Sequence, residues 1–191
     1  GWSLLPYLLA AWLVLYLMSQ EFFVAEWLRA HPITYMLSHM FILPLIDFYL
    51  LAAAWQGHGA PPIAFGWFLV ATYTNGIVFE VGRKVRAAAD EEVGVETYSA
   101  LWGVALASGV WLLAIGIAGS AGILAGWTGG QSTRVGIAIT LVLVVGWLGA
   151  AWVAWRMSKQ PTTSHSRWIE RFSALWVLSF YLSMGLLPHW G

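Results

Sequence analysis

Cysteine is absent from this 191-residue sequence, and charged side chains are scarce. Without cysteine the chain can form neither a disulfide framework nor a thiolate metal site. Nine Lys and Arg balance nine Asp and Glu, so a formal net charge of zero gives no overall attraction to nucleic acid. Charged residues make up 9% of the chain, whereas a soluble domain has about 25%. These scarcities exclude an ordinary soluble domain.

Apolar residues fill most of the sequence. They account for 60% of it, with 14 tryptophans and a mean hydropathy of +0.72. A helix needs about 20 apolar residues to cross about 30 Å of hydrocarbon. We therefore predict an all-α, polytopic transmembrane bundle that forms a single domain over residues 1–191. Its six predicted transmembrane helices are residues 3–19, 33–57, 62–82, 99–119, 135–155 and 171–188.

The basic residues are distributed unevenly between the two predicted membrane faces. Eight of the nine Lys and Arg fall in or beside alternate loops, and only Arg134 lies in a loop on the other face. The positive-inside rule makes the face with more basic residues cytoplasmic. We expect loops 20–32, 83–98 and 156–170 to be cytoplasmic, with both ends of the chain on the opposite side.

Residues 79–103, FEVGRKVRAAADEEVGVETYSALWG, carry eight of the 18 charged side chains. Glu80 and Lys84 are spaced to pair on one helix face, Gly94 suits a turn, and Thr97 suits a helix N-cap. Acids and bases together at a membrane interface suit a diphosphate with its Mg²⁺, because carboxylates hold the metal and cations neutralise phosphate. The alternative is a solvated loop whose charges simply balance.

The stretch DEEVGVETYSALWG resembles the second acidic motif of the UbiA superfamily of intramembrane prenyltransferases. Asp90, Gly94, Thr97 and Gly103 fall at that motif's spacings, and three predicted helices follow, as in the family. The family has nine helices, so this chain is similar to its C-terminal two thirds. Two features depart from the family: the first acidic motif, N-D-x-x-D, has no counterpart, and Arg83 stands where the second motif has an upstream Asp.

The resemblance implies a Mg²⁺-dependent transfer of a prenyl group from a prenyl diphosphate to an acceptor, within the membrane lipid. It implies that Asp90, Glu80 and Glu91 are metal ligands, with Glu80 replacing the upstream Asp. It also implies that Arg83, Lys84 and Arg86 bind the diphosphate. Because the first acidic motif is absent, we expect no turnover by this chain alone.

Three further polar residues lie in predicted membrane helices. Asp47 is a catalytic candidate that would orient an acceptor or take a proton with His39 as its partner, and the alternative is a buried pair that joins helices. A charge at this depth costs about 2.5 kcal/mol or more if it faces lipid, so Asp47 should face the bundle interior or be protonated. Asn75 has two equal readings, as a ligand of phosphate or metal, or as an interhelical hydrogen bond.

Two other functions fit the sequence. The chain could be a non-catalytic membrane subunit that packs against other subunits of a larger complex, with His39 ligating the metal of a pigment. It could also be a small transporter that relays protons through Asp47 and His39, although six helices without internal repeats are unusual for that class.

Overall fold

The computed structural model describes residues 4–190, and this part of the chain is helical, with turns and no β-strand. Proline and capping side chains set several helix starts. Nine α-helices occur in the described range: α1 (Leu5–Ser19), α2 (Ala25–Ala30), α3 (Pro32–Met40), α4 (Ile42–Ala54), α5 (Ile63–Arg83), α6 (Tyr98–Trp102), α7 (Val104–Thr128), α8 (Thr133–Lys159) and α9 (Thr163–Leu186). Short 3-10 turns occupy Glu21–Phe23, Ala88–Asp90 and Leu187–Trp190.

Five apolar segments of the described chain are long enough to cross a membrane: Pro32–Ala54, Ile63–Arg83, Val104–Thr128, Thr133–Lys159 and Thr163–His189. The chain is therefore built as a multi-pass membrane protein. The first predicted span, 3–19, contains the 15-residue apolar helix α1. Residue 3, where the predicted span begins, lies outside the described residues. The sixth crossing stays a prediction.

The second predicted span is divided. It consists of α3 and α4, which are separated at Phe41. Pro44 has no N–H to donate to the carbonyl of Met40, four residues earlier, so a continuous helix would lack a hydrogen bond at this point. The predicted range 33–57 ends three residues beyond the last residue of α4, Ala54.

The predicted span 99–119 begins too early and ends too early. Thr97 caps α6 as predicted, accepting a 3.1 Å hydrogen bond from the amide of Ala100. Gly103 then adopts a φ of 80°, which glycine tolerates because it has no Cβ, and the membrane helix α7 begins only at Val104. Gly94, the predicted turn residue, also has a positive φ of 85°.

α7 lies at the centre of the bundle, packed against α5 and α8, and α5 also contacts α9. Trp111 on α7 is fully buried and donates a 2.8 Å hydrogen bond from Nε1 to Ser173 Oγ on α9. Gly82 on α5 lies against both side chains, and a Cβ there would overlap Ser173. The absence of a side chain at Gly82 lets three helices meet closely, which is the usual role of small residues in membrane bundles.

The direction of the helices brings two loops together at one end of the bundle. α5 and α8 run towards this end, and α7 and α9 run away from it. The loop that follows α5 is tied to the start of α9, because the amide of Ala87 donates a 2.8 Å hydrogen bond to Ser166 Oγ. The loop after α5 therefore lies beside the first turn of α9. Residues 156–170, predicted as a loop, are mostly helical, because α8 continues to Lys159 and α9 begins at Thr163.

Candidate functional site

A cavity of about 490 Å³ lies at this charged end of the bundle, between the loop after α5 and the first turns of α9. It brings together five of the eight predicted site residues. Its lining consists of Arg83, Lys84, Arg86, Ala89, Asp90, Glu91, Glu92, Val95, Thr97, Thr163 and Arg167. We call it the charged cavity.

Asp90 is held at the edge of the charged cavity by α9. Its Oδ2 accepts a 2.7 Å hydrogen bond from the hydroxyl of Ser166, a residue that is 1% exposed. Hydrogen bonds from Ser166 and Thr163, together with the nearby cations Arg86 and Arg167, hold the pKa of Asp90 below its usual range. Asp90 is thus a carboxylate at neutral pH, as a hard-cation ligand must be.

Glu91 is fixed by the helix that follows the loop. Both of its carboxylate oxygens lie within 2.7 Å of Thr97 Oγ1, which donates to them while accepting the amide of Ala100. Thr97 therefore caps α6 and orients Glu91 at the same time. Thr97 falls at one of the spacings of the acidic motif, and here its hydroxyl positions an acid of the cavity.

Glu80 has a different environment from Asp90 and Glu91. Its carboxylate is bound by Arg83, with Nη2 at 2.6 Å, and by Lys84, with Nζ at 2.9 Å. The side chain is 12% exposed and lines a second cavity, whereas both of its cationic partners line the charged cavity. The structure therefore separates Glu80 from the other two predicted metal ligands.

Lys84 is also supported by an aromatic ring. Its Nζ lies 5.6 Å from the ring centroid of Tyr98, within range of a cation–π interaction. Tyr98 is almost completely buried. This burial is the main reason why its pKa is raised to about 12, and the negative charge of nearby Glu80 adds to the effect. Its ring and hydroxyl therefore remain neutral beside the cation over the whole physiological range.

The second cavity, of about 500 Å³, extends into the membrane part of the bundle, and we call it the inner cavity. Asn75 lines it and is 2% exposed. Its Oδ1 accepts a 2.9 Å hydrogen bond from Nε1 of Trp176 on α9, so an interhelical hydrogen bond, one of the two predicted readings, is present. The other, a phosphate or metal contact, stays a prediction, and Asn75 does not line the charged cavity.

Asp47 and His39 have separate partners. Half-buried Asp47 on α4 interacts with the hydroxyls of Thr72 on α5 and Tyr181 on α9, so it faces the bundle interior as expected. His39 lies with Nδ1 2.9 Å from the carbonyl oxygen of Tyr35 and Nε2 3.4 Å from Glu21. Asp47 is not among these neighbours, so the predicted pair of Asp47 and His39 is not formed.

Three residues of the charged cavity region were absent from the sequence prediction: Thr163, Ser166 and Arg167. All lie in the first turns of α9, more than 70 residues after Asp90. A signal was available, because the alternation of membrane faces puts loops 83–98 and 156–170 on one side. That alternation does not say which side chains of the second loop reach the first.

Within residues 4–190, no group of three or more His, Asp or Glu side chains is arranged to hold a metal ion by itself. Three acids, Asp90, Glu91 and Glu92, share the charged cavity with four cations. Comparisons with protein-family models, with curated proteins and with solved structures gave no match to this chain.

Proposed function

We propose that this protein binds a prenyl diphosphate with Mg²⁺ at the charged cavity and belongs to the UbiA-like membrane prenyltransferases. The single observation that supports the proposal is the convergence of Arg83, Lys84, Arg86, Asp90 and Glu91 on one cavity. Thr163 and Arg167 of α9 line the same cavity, so a distant helix encloses these charges, which a merely solvated loop does not require.

The donor set fits Mg²⁺ bound together with a diphosphate. Mg²⁺ is usually held by one or two carboxylates, with waters and substrate phosphate oxygens completing its shell. Asp90 and Glu91 would supply the carboxylates, and the four cations would neutralise the remaining phosphate charge. Bound Mg²⁺ would also stabilise negative charge on a departing diphosphate.

Glu80 has a supporting role in this proposal. Its carboxylate orients Arg83 and Lys84 towards the charged cavity by contacts of 2.6 and 2.9 Å. Metal ligation by Glu80 would require it to exchange one of these cations for Mg²⁺. We therefore assign it to the positioning of the two cations and keep Asp90 and Glu91 as the ligands.

The proposed topology follows the basic residues. We infer that the charged end faces the cytoplasm, since eight of nine Lys and Arg lie near it, and that α1 provides a sixth crossing. The diphosphate would then reach the charged cavity from the cytoplasm, while its prenyl chain enters the bilayer.

The test is a binding titration of purified protein with farnesyl diphosphate, with Mg²⁺ or with EDTA. We expect binding only with Mg²⁺ and a loss of about tenfold or more in Asp90→Asn, because one metal ligand is weakened. Glu96→Gln is the matched control, since Glu96 is an exposed acid of the same loop that does not line the cavity. Equal binding by Asp90→Asn and the wild-type protein would reject the metal assignment.

A non-catalytic membrane subunit is the second candidate, and one observation favours it. In the most apolar window of Pro32–Ala54, 6% of the residues are buried, the lowest fraction among the five membrane segments. A helix with so little of its surface buried within this chain is suited to contact with another protein. If this candidate is right, extraction from native membranes in a mild detergent will yield a stable larger complex, and Asp90→Asn will leave its assembly and function unchanged.

A further inference from the structure

A groove of about 420 Å³ lies on the outside of the bundle, between α8 and α9. Its lining is mostly apolar and includes Val142, Val145, Gly146, Phe172, Leu175 and Ser179. Val145 and Leu175 are more than half exposed, and both lie in segments long enough to cross a membrane. The groove therefore faces lipid hydrocarbon, and we call it the α8–α9 groove.

The face of α8 that lines this groove continues to a cation. Val145 is followed at helical spacing by Gly149, Trp152 and Arg156, so these residues share one side of the helix. Arg156 lies in the last turn of α8, about 16 Å beyond Val145 at a rise of about 1.5 Å per residue. One leaflet contributes about 15 Å of hydrocarbon, half of about 30 Å, so the groove lies one leaflet's depth below Arg156.

Two stacked tryptophans join α8 and α9 beside Arg156. The ring planes of Trp152 and Trp168 differ by 24°, and their centroids are 5.4 Å apart. Arg156 Cζ lies 5.9 Å from the ring centroid of Trp152, within range of a cation–π interaction. Trp152 is 51% exposed and Trp168 is 37% exposed. Exposed tryptophans at helix ends lie at the level of the lipid head groups, so the guanidinium of Arg156 lies at that level too.

Arg156 has no anionic partner. Within residues 4–190 it forms no ion pair and no hydrogen bond, and its Nε is buried without an acceptor. From residue 97 onwards the sequence contains a single acid, Glu170. That acid binds Arg86 at 3.3 Å and lies about 200° around α9 from Trp168. Lys159, one turn beyond Arg156, adds an exposed cation, so the positive charge on this side of α8 is not balanced within the chain.

These features set requirements for an occupant. It needs a hydrocarbon chain for the groove and an anionic group at the membrane surface for the two cations. Arginine binds phosphate oxygens by charge-assisted hydrogen bonds, and basic residues next to membrane helices attract anionic lipids. An anionic phospholipid has both parts in one molecule, at the separation that the groove and Arg156 require.

We infer that the α8–α9 groove binds an anionic glycerophospholipid, whose phosphate contacts Arg156 and whose acyl chain lies between α8 and α9. The site uses a different side of α9 from the charged cavity and does not rest on the proposed function. It contains no acid, so binding should need no Mg²⁺.

The experiment compares dioleoyl phosphatidylglycerol with dioleoyl phosphatidylcholine by native mass spectrometry of the purified protein in EDTA. The two lipids have the same chains and a phosphate, but choline adds a positive charge that opposes Arg156. The wild-type protein should retain phosphatidylglycerol about tenfold better. Arg156→Gln should lower this ratio about fivefold, the contribution of one cation near a membrane surface. Arg156→Lys keeps the charge and should keep most of the preference.

Arg29→Gln is the matched control. Arg29 is an exposed cation on α2, which packs against α3, and it does not line the groove, so this variant should keep the wild-type ratio. Asp90→Asn should also keep it, even if it abolishes binding of farnesyl diphosphate, so the two proposals can fail separately. Lys159→Gln gives a second measurement if Arg156→Gln does not survive purification, and should lower the ratio.

Three outcomes would overturn the inference. The first is equal retention of both lipids by the wild-type protein. The second is a ratio that Arg156→Gln and Lys159→Gln leave unchanged, or that Arg29→Gln lowers equally, which would indicate general charge attraction. The third is displacement of phosphatidylglycerol by an equal concentration of glycerol phosphate, which would show that the acyl chain and the groove contribute nothing.

Discussion

Ser166 on α9 donates a 2.7 Å hydrogen bond to the carboxylate of Asp90, which lies 76 residues earlier in the chain. The same hydroxyl oxygen accepts the amide of Ala87 at 2.8 Å. One buried side chain thus holds both the backbone of the acidic loop and the acid that we propose as a Mg²⁺ ligand. The charged cavity depends on this contact between the loop and α9.

Replacement of Ser166 by Ala should loosen the loop. We expect the free energy of unfolding to fall by about 1–3 kcal/mol, because the buried amide of Ala87 loses its acceptor. Thermal unfolding in detergent and proteolysis of loop 84–97 would measure the effect. Ser183→Ala is the control, since Ser183 is buried on the same helix but bonds only to the carbonyl of Phe180 within it. Equal effects of the two substitutions would show that the contact with the loop contributes nothing.

The contact with Asp90 should also depend on pH. The pKa of Asp90 is lowered in the folded protein, chiefly by the hydrogen bonds from Ser166 and Thr163. Its stabilising contribution is therefore complete above the ordinary carboxyl pKa and is lost as the pH falls through the folded value. In EDTA, the difference in melting temperature between wild-type protein and Asp90→Asn should be constant near neutral pH and should shrink in strong acid. A difference that grows on acidification would contradict the assigned sign.

Gly82 should tolerate no side chain. A Cβ would overlap Ser173 Oγ and lie 3.0 Å from Trp111 Nε1, so Gly82→Ala should lower the free energy of unfolding by about 1–3 kcal/mol. Gly66→Ala is a control in the same helix, with open space around the added Cβ, and should be neutral or stabilising by up to about 1 kcal/mol. Denaturation of both variants in mixed micelles tests the pair. A stable Gly82→Ala protein would mean that α5, α7 and α9 are packed less closely there.

Arg167 should contribute to diphosphate binding, although the acidic motif does not contain it. It lines the charged cavity, whereas Arg171, one turn further along α9 and also exposed, does not. We expect Arg167→Ala to weaken the Mg²⁺-dependent binding of farnesyl diphosphate by about tenfold, as the loss of a charge-assisted hydrogen bond would. Arg171→Ala should bind nearly as the wild-type protein does. Equal losses in both variants would indicate general charge attraction in place of a specific contact.

Several local features were predictable because they depend on neighbours in the sequence. The Thr97 cap, the turn at Gly94 and the ion pair between Glu80 and Lys84 each involve groups within four residues, and all three are present. The break between α3 and α4 was missed, although Pro44 marked it, because hydropathy alone treats a broken helix as continuous. The division at Gly103 was missed for the same reason.

The sequence by itself determined that the chain forms apolar helices, that its charges gather between two of them, and which acids and bases lie in that segment. Hydropathy and backbone preference act over a few residues, so they can be read from the chain directly. Only the tertiary structure decided that Ser166 and Arg167 join Asp90, that Glu80 turns to a different cavity, and that Asn75 meets Trp176. Those pairings depend on how helices that are distant in the sequence rotate against one another, which their packing determines.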